Sequence, residues 1–417
     1  KPQKLIVSGD ESNPDQLRAL LARADTLGIP LARLPRLSDF KSGHTDAFDV
    51  RPAAVEDLLG RAQNVLDRDA MRALVAGKRV LVTGAGGTIG GELTRQVASY
   101  NPEKLIIVEM SEFNLYQIER EIREQFPSLP LTVILCDVRN QMHIEQIFNQ
   151  HKPQIVLHAA AIKHVPIAEY NIEETVLTNV FGTRNVAEAC IAHQAEIMLM
   201  ISTDKAVNPT NVMGASKRLA ESICQALGEA SQNAQKTTFV TVRFGNVLGS
   251  TGSVVPLFQE QLKNGGPLTV THPDMTRYFM TVREAVELVL QAAALGFSMK
   301  TRQEYIFVLD MGEPVKIVDL ATQMIRLAGF KPMEDINIIS TGLRPGEKLY
   351  EELFHDAENM TKTAHQSILL ASPRRADIHT LRKALEPLCN AACERKTEQT
   401  LAMLKALVPE FTTTENT

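Results

Sequence analysis

Apolar residues along the chain gather in short unbroken runs. Val80–Thr83, Leu105–Val108, Leu131–Cys136, Ile155–Leu157, Ile197–Ile201 and Phe239–Val242 are of strand length and alternate with helix-length amphipathic segments. Unbroken runs of this length suit strands buried on both faces, and their alternation with helices predicts an α/β fold built on a doubly wound parallel sheet. Upstream, KLIVSGDESNPDQLRALLARADTLGIPLARLP predicts a strand, an amphipathic helix with Leu17, Leu20 and Leu21 on one face, and a second strand, a partial βαβ module. A Pro-, Asp- and Arg-bearing stretch from Arg36 to Pro52 predicts a linker, and helical periodicity then returns up to Gly77. Beyond Gly249 the regularity weakens into helices, short strands and loops such as Gly265-Gly266-Pro267 and Arg344-Pro345-Gly346, which predicts a smaller C-terminal lobe. The polar tail after Pro409 is predicted disordered. The expected organisation is a partial module and linker over 1–50, a principal domain over 51–375, and a helical extension with a tail over 376–417.

Composition narrows the function classes. The chain has 417 residues, 44% hydrophobic and 22% charged, enough for more than one ordinary core in a normal globular protein. A net charge of −5 gives no global basic field, so nucleic-acid binding is not expected and any phosphate must be held locally. Five cysteines are too few and too scattered for a disulfide framework and fit a reduced compartment. Cys389 and Cys393 lie one helical turn apart, but no second pair or histidine supplies zinc spacing, so no metal is expected. No apolar run is long enough to span a bilayer, and the chain starts at Lys1 without a signal-peptide pattern; any membrane segment is expected in a part that precedes it.

The first apolar run leads directly into Gly84-Ala85-Gly86-Gly87-Thr88-Ile89-Gly90, which is followed by a helical segment. Glycines where a strand turns into a helix allow a tight turn and let backbone N–H groups approach a pyrophosphate at the helix N-terminus. Glu109 ends the next run about twenty residues on, where a carboxylate can hold the ribose hydroxyls of NAD and would repel the extra phosphate of NADP. Asp137 and Val138 close the third run beside the expected adenine, and Ala159-Ala160-Ala161 close the fourth beside the expected nicotinamide path. The spacing Gly84-x-x-Gly87-x-x-Gly90 resembles that of the extended short-chain dehydrogenases, a Rossmann-type group, and NAD is the expected cofactor.

Ser202-Thr203-Asp204-Lys205 stands at the carboxyl end of the fifth run, where open α/β sheets gather their ligands. Met213 and Lys217 follow one helical turn apart. In the short-chain dehydrogenase pattern that spacing is Tyr-x-x-x-Lys, with the Lys holding the nicotinamide ribose and lowering the Tyr pKa. Here the Tyr is Met213, whose thioether is neither acid nor base. Either the chain binds a nucleotide without catalysis, or the acid–base work has moved to Thr203, Asp204 and Lys205.

TGAGGTIG, AAAIKHVP, NVFGT, STDKAVNPTNVMGASKR, VRFGNVLGS, TRYFMT and LRPGEKLYEEL, in this order over about residues 50–370, resemble the bacterial polysaccharide-biosynthesis UDP-N-acetylhexosamine 4,6-dehydratases. The Met213 exchange together with Thr203-Asp204-Lys205 is similar to the long, membrane-anchored branch of that family. The resemblance implies that NAD oxidises sugar carbon 4, water leaves across carbons 5 and 6, and the cofactor is regenerated as hydride returns to carbon 6. It implies Asp204 as general acid, Lys205 as base, with exchange of these roles open, and Thr203 in place of the missing Tyr at the carbon 4 hydroxyl. By position in matching motifs, Lys163 and His164 are expected to meet the sugar or its diphosphate, and Asn179 to support the active-site backbone beside the cofactor. Asn246, Arg277 and Arg344 are expected at the diphosphate and Glu347 at a uridine ribose hydroxyl. The implied setting is the cytoplasmic face of the inner membrane, reached through a segment absent from this chain, with a homodimer or larger homo-oligomer and surface-glycan synthesis as the purpose. Two other readings stay open: a nucleotide-sugar 4-epimerase, and an NAD-binding sensor or scaffold module.

Overall fold

The computed structural model describes residues 66–230, 237–299, 304–354, 358–372 and 377–412, together with short pieces before residue 66 that include 5–7, 19–20, 23–24, 31–33 and 51–52. It divides into two compact units: a larger one of residues 64–245, 282–311 and 344–417, and a smaller one of residues 1–63, 246–281 and 312–343.

The larger unit is built on a nine-stranded sheet. Its strands are β1 (Arg79–Thr83), β2 (Lys104–Glu109), β3 (Leu131–Leu135), β4 (Ile155–His158), β5 (Ile197–Ile201), β6 (Thr238–Arg243), β7 (Glu304–Leu309), β8 (Met360–Lys362) and β9 (Ile368–Ala371). They run in the order β8-β9-β7-β6-β5-β4-β1-β2-β3. β3 through β7 in this order are parallel, whereas β9 pairs antiparallel with β7 and β8 antiparallel with β9. All six apolar runs read from the sequence are strands. Their lack of alternation has a plain cause: helices cover both faces, so Val80, Leu81 and Val82 of β1 and Leu105, Ile106 and Ile107 of β2 are all fully buried. Each such side chain contributes about 1.5–3 kcal/mol through removal from water. Chain order reverses between β1 and its neighbour β4, and a crevice forms at such a point beyond the carboxyl ends of the strands.

Four helices form or support the surroundings of the strand ends. Thr88–Ser99 (α1) follows β1; Val212–Ala230 (α2) follows β5; Ile378–Cys393 (α3) and Thr397–Leu407 (α4) come last. Leu381, Leu385 and Leu388 of α3 and Leu404 of α4 share one core with Ile223 and Leu227 of α2. The chain stays ordered beyond Pro409, which corrects the expected disorder for residues 410–412. Arg218 donates to Glu410 at 2.9 Å, Phe411 is buried, and the Thr412 N–H donates to the Pro209 carbonyl at 3.1 Å. Residues 413–417 lie outside the described residues.

In the smaller unit, Leu5–Val7 pairs parallel with Leu31–Arg33, which pairs antiparallel with Arg51–Pro52. A parallel pair needs a crossover between its strands; Leu20 there is helical, while Leu17 and Leu21 lie outside the described residues. Most of the linker read from Arg36 onward also lies outside them. Asn246–Val247 pairs with Phe279–Met280, and Thr276–Arg277 with Val315–Lys316. No described helix is long and apolar enough to cross a membrane.

Candidate active site

The glycine loop is shaped by close backbone approach. Gly84 has φ +63°, and a Cβ there would come within 2.7 Å of the Ala160 backbone, so glycine is what lets β1 turn against the end of β4. A Cβ on Gly90 would lie 1.9 Å from the Gly84 carbonyl oxygen. Gly87 is the N-cap of α1, with no side-chain cap and no acidic residue in the first turn, and Thr88 and Ile89 open the helix. That N-terminus presents backbone N–H groups and a positive dipole end. Glu109, buried at the end of β2, accepts from the N–H groups of Gly86 (3.1 Å), Met110 (3.0 Å) and Ser111 (3.0 Å). At the end of β3, burial pushes the Asp137 carboxyl up, but hydrogen bonds from the Arg139 side chain and backbone outweigh it and hold it low. The Val138 carbonyl accepts from Asn185, and the Ala159 N–H donates to the Thr83 carbonyl at 3.1 Å. Ala161 is exposed.

At the tip of β5 the chain turns through a short 3₁₀ segment, Asp204–Ala206. Thr203 donates its hydroxyl to Asp204 Oδ1 at 2.8 Å, and Lys205 Nζ donates to the same oxygen at 3.0 Å. Asp204 is 1% exposed, and its Oδ2 is buried with no hydrogen-bond partner among the described residues. An adjacent Asp and Lys on a regular strand would face opposite sides; the 3₁₀ turn brings them to one. Helix α2 holds the turn in place: a Cβ on Gly214 would sit 2.1 Å from the Lys205 carbonyl oxygen. Gly214→Ala is therefore expected to push the helix and the turn apart at a cost of about 1–3 kcal/mol, read as a lower thermal midpoint.

Met213 and Lys217 are both buried on α2. Burial pushes the Lys217 ammonium down to about 8 against the opposing charge of Glu221. Asn179 sits in a π-helical turn, Leu177–Gly182, and exchanges hydrogen bonds with the Ile162 backbone at 2.8 and 3.0 Å while donating to Ser216 Oγ at 2.9 Å. It ties the segment following β4 to α2. His158 lies between Thr83 (2.7 Å) and Thr183 (3.0 Å), and burial, with Lys217 nearby, lowers it to about 3, so it is neutral.

Lys163 and His164 are exposed beyond the end of β4. Partial burial lowers both, and the Lys163 charge lowers His164 further. Arg344 and Glu347 belong to a segment latched onto the β5–α2 loop. The Gly346 carbonyl accepts from Asn211 Nδ2 (3.0 Å) and Thr210 Oγ1 (3.2 Å), and Lys348 Nζ donates to the Val207 carbonyl (3.2 Å). Arg344 is exposed, and its N–H donates to Glu347 at 3.2 Å. Asn246 and Arg277 belong to the smaller unit, where Arg277 is buried and donates to the Thr276 carbonyl.

Two features escaped the sequence reading. Glu351, on the latched segment, brings Oε1 to 3.6 Å from Lys205 Nζ. Beneath the site, Arg243 joins Glu221 (2.6 Å) and Glu358 (2.7 Å), and Ser202 donates to Glu221 (2.7 Å), all of them buried. The sequence signal for Glu351 was its place in LRPGEKLYEEL. Among the described residues no cluster of His, Cys, Asp and Glu is placed to hold a metal ion. A cleft of about 300 Å³ opens beside Gly86 and Gly87, lined by Arg95, Asn114 and Glu121 among others, and the Thr203–Lys205 tip does not line it.

Over residues 80–373 the chain matches the family described as polysaccharide biosynthesis protein. The capsular polysaccharide biosynthesis protein CapD of Staphylococcus aureus is 46% identical over 367 residues, 88% of this chain and 60% of that protein. The chain thus spans about three fifths of the length of that relative. The UDP-glucose 4-epimerase of Rickettsia canadensis is 37% identical over 290 residues, 68% of this chain and 80% of that protein. Among solved structures, Pen from Bacillus thuringiensis superposes with a TM-score of 0.63 at 32% identity, covering 72% of this chain and 90% of that one. DesIV of Streptomyces venezuelae, a dTDP-glucose 4,6-dehydratase solved with NAD, has a TM-score of 0.54 at 18% identity over 66% of this chain and 87% of its own, a likeness of fold.

Proposed function

This chain belongs to the polysaccharide biosynthesis protein family, and from that premise we propose that it is an NAD-dependent lyase that removes water across carbons 5 and 6 of a UDP-N-acetylhexosamine, giving a 4-keto-6-deoxy sugar. UDP-N-acetylglucosamine is the substrate we assign. The observation that carries the reading is the Asp204–Lys205 contact of 3.0 Å at the tip of β5, with Met213 where a catalytic Tyr would stand.

The residues present fit NAD. Gly84, Gly86, Gly87, Thr88, Ile89 and Gly90 form a strand-to-helix turn with a glycine N-cap and no acidic residue in the first helical turn, suited to a pyrophosphate. Glu109 and Asp137 stand at the ends of β2 and β3 for ribose and adenine, with Val138 alongside, while Ala159, Ala160, Ala161 and Lys217 are assigned to the nicotinamide half and Asn179 to the backbone beside it. Bound there, NAD would supply a hydride acceptor for carbon 4 and a hydride donor for carbon 6.

The chain's own groups then move the protons. Thr203 takes the proton of the carbon 4 hydroxyl as it passes its own to Asp204 over 2.8 Å, a route that needs no Tyr. The protonated Asp204 gives that proton to the carbon 6 hydroxyl, which leaves as water. Lys205, deprotonated, takes the carbon 5 proton and gives it back once carbon 6 is reduced. Lys163, His164, Asn246, Arg277 and Arg344 are assigned to sugar and diphosphate, and Glu347 to the uridine ribose. The same reading carries a homo-oligomer and, through a segment outside these residues, work at the cytoplasmic face of the inner membrane.

The second reading, a 4-epimerase, is favoured by the likeness to the Rickettsia canadensis protein. Mass analysis after incubation with UDP-N-acetylglucosamine separates them. Loss of one water is the expected result; an isomer of unchanged mass would make it an epimerase, and untouched substrate a sensor.

A further inference from the structure

We propose that Glu351 is a positioning residue for Lys205: it orients the amine and stabilises the positive charge that forms there as the proton of carbon 5 is taken. The proposal deepens the dehydratase reading and rests on it for the identity of the reaction. Glu351 Oε1 lies 3.6 Å from Lys205 Nζ, and its side chain is 3% exposed against 15% for Lys205. Water therefore screens this pair little, and a carboxylate this near favours the charged amine.

The chain goes to some length to place that carboxylate. Gly346, at φ +73°, packs so closely that a Cβ would meet Asn211 Cβ at 2.7 Å. Its carbonyl takes two hydrogen bonds from Thr210 and Asn211, and Lys348, two residues further on, fastens the segment to the Val207 carbonyl. These bonds fix the segment against the loop that begins with Lys205, so the approach of Glu351 is built by the fold rather than by a flexible surface pair.

A division of labour results. Asp204 changes its protonation in each cycle, as acceptor from Thr203 and donor to the leaving hydroxyl, so it is a counter-charge for Lys205 only part of the time. Glu351 contacts Lys205 at 3.6 Å without being needed for either transfer. Its part resembles that of the aspartate in a Ser-His-Asp triad, which holds the base and stabilises the cation formed on it. Of the charged groups on elements packed against this turn, Lys217 and Glu221 come from α2, and Glu347, Lys348 and Glu352 from the latched segment. Asp204 and Glu351 reach Lys205 Nζ itself, at 3.0 and 3.6 Å.

Glu351→Gln keeps the shape and removes the charge. The pH midpoint for acetylation of Lys205 by acetic anhydride, followed on its peptide by mass spectrometry in the full chain, is expected to fall by about 1 unit. Above that midpoint, where the amine is neutral in both proteins, turnover of UDP-N-acetylglucosamine is expected to fall up to about tenfold in kcat with KM within about twofold, and Glu351→Asp is expected to recover part of the midpoint shift. An unchanged acetylation midpoint in Glu351→Gln overturns the proposal whatever product is made. Should Glu351→Gln fail to fold, a wild-type midpoint with wild-type kcat in Glu351→Asp, whose carboxylate is drawn back from Lys205, overturns it. A wild-type chain that removes no water defeats the dehydratase reading alone, because the acetylation result does not depend on turnover.

Discussion

Asp204→Asn is expected to lower kcat about 10³-fold while NAD stays bound. The amide fills the same buried volume and still accepts from Thr203, so the turn at the end of β5 keeps its geometry. It cannot take the proton that Thr203 passes over 2.8 Å, nor give one to the hydroxyl on carbon 6. Lys205→Ala is expected to fall as far, since it removes the group that takes the carbon 5 proton. Met213→Ala, by contrast, trims a buried thioether with no proton to move and is expected to change the rate less than about tenfold. Steady-state product formation, with retained NAD read by absorbance, checks all three. Unaltered turnover in Asp204→Asn or Lys205→Ala would remove the pair from the mechanism.

The largest loss of stability is expected from Arg243→Met. Arg243 is 1% exposed and holds Glu221 and Glu358, both also buried. Removing the guanidinium leaves two carboxylates in the interior without their counter-charge, a change that costs about 3–5 kcal/mol. The pH dependence should change with it. Burial pushes the Glu221 carboxyl up, but the charge and hydrogen bonds of Arg243, with help from Arg218 and Ser202, outweigh that and hold it below the usual range. A carboxyl lowered in the folded chain contributes stability above its unfolded pKa, and that stability is lost as pH falls through the lower folded value. In Arg243→Met burial is no longer outweighed and the folded Glu221 carboxyl rises above the usual range, so protonation relieves the buried charge and the deficit against wild type is expected to shrink as pH falls. Denaturant unfolding at several pH values measures both effects, and a variant within about 1 kcal/mol of wild type, on the order of a single surface change, would contradict them.

Much of the sheet was legible because parallel strands covered on both faces are apolar throughout, so β1 to β6 stand out without knowledge of their partners. β7 is equally apolar, Glu304 to Leu309 being buried along its whole length, yet it went unread. It pairs with β6 only after the chain has passed through part of the smaller unit, and the short hairpin β8–β9 beyond it carries half-exposed residues that break any pattern. The π-helical turn holding Asn179 was invisible for a different reason: a single wide turn hardly disturbs helical periodicity. Thr203, Asp204 and Lys205 could be found because they are neighbours at a strand end. Glu351 could not be ranked above Glu347 in the same motif, since what separates them is which one the Gly346 latch turns toward Lys205.

UDP-N-acetylglucosamine carrying deuterium at carbon 4 gives the most direct test of redox and elimination in one pocket. The account requires a product lighter by one water with the label now at carbon 6 of the same molecule. Label left on carbon 4, or lost to solvent, would contradict it.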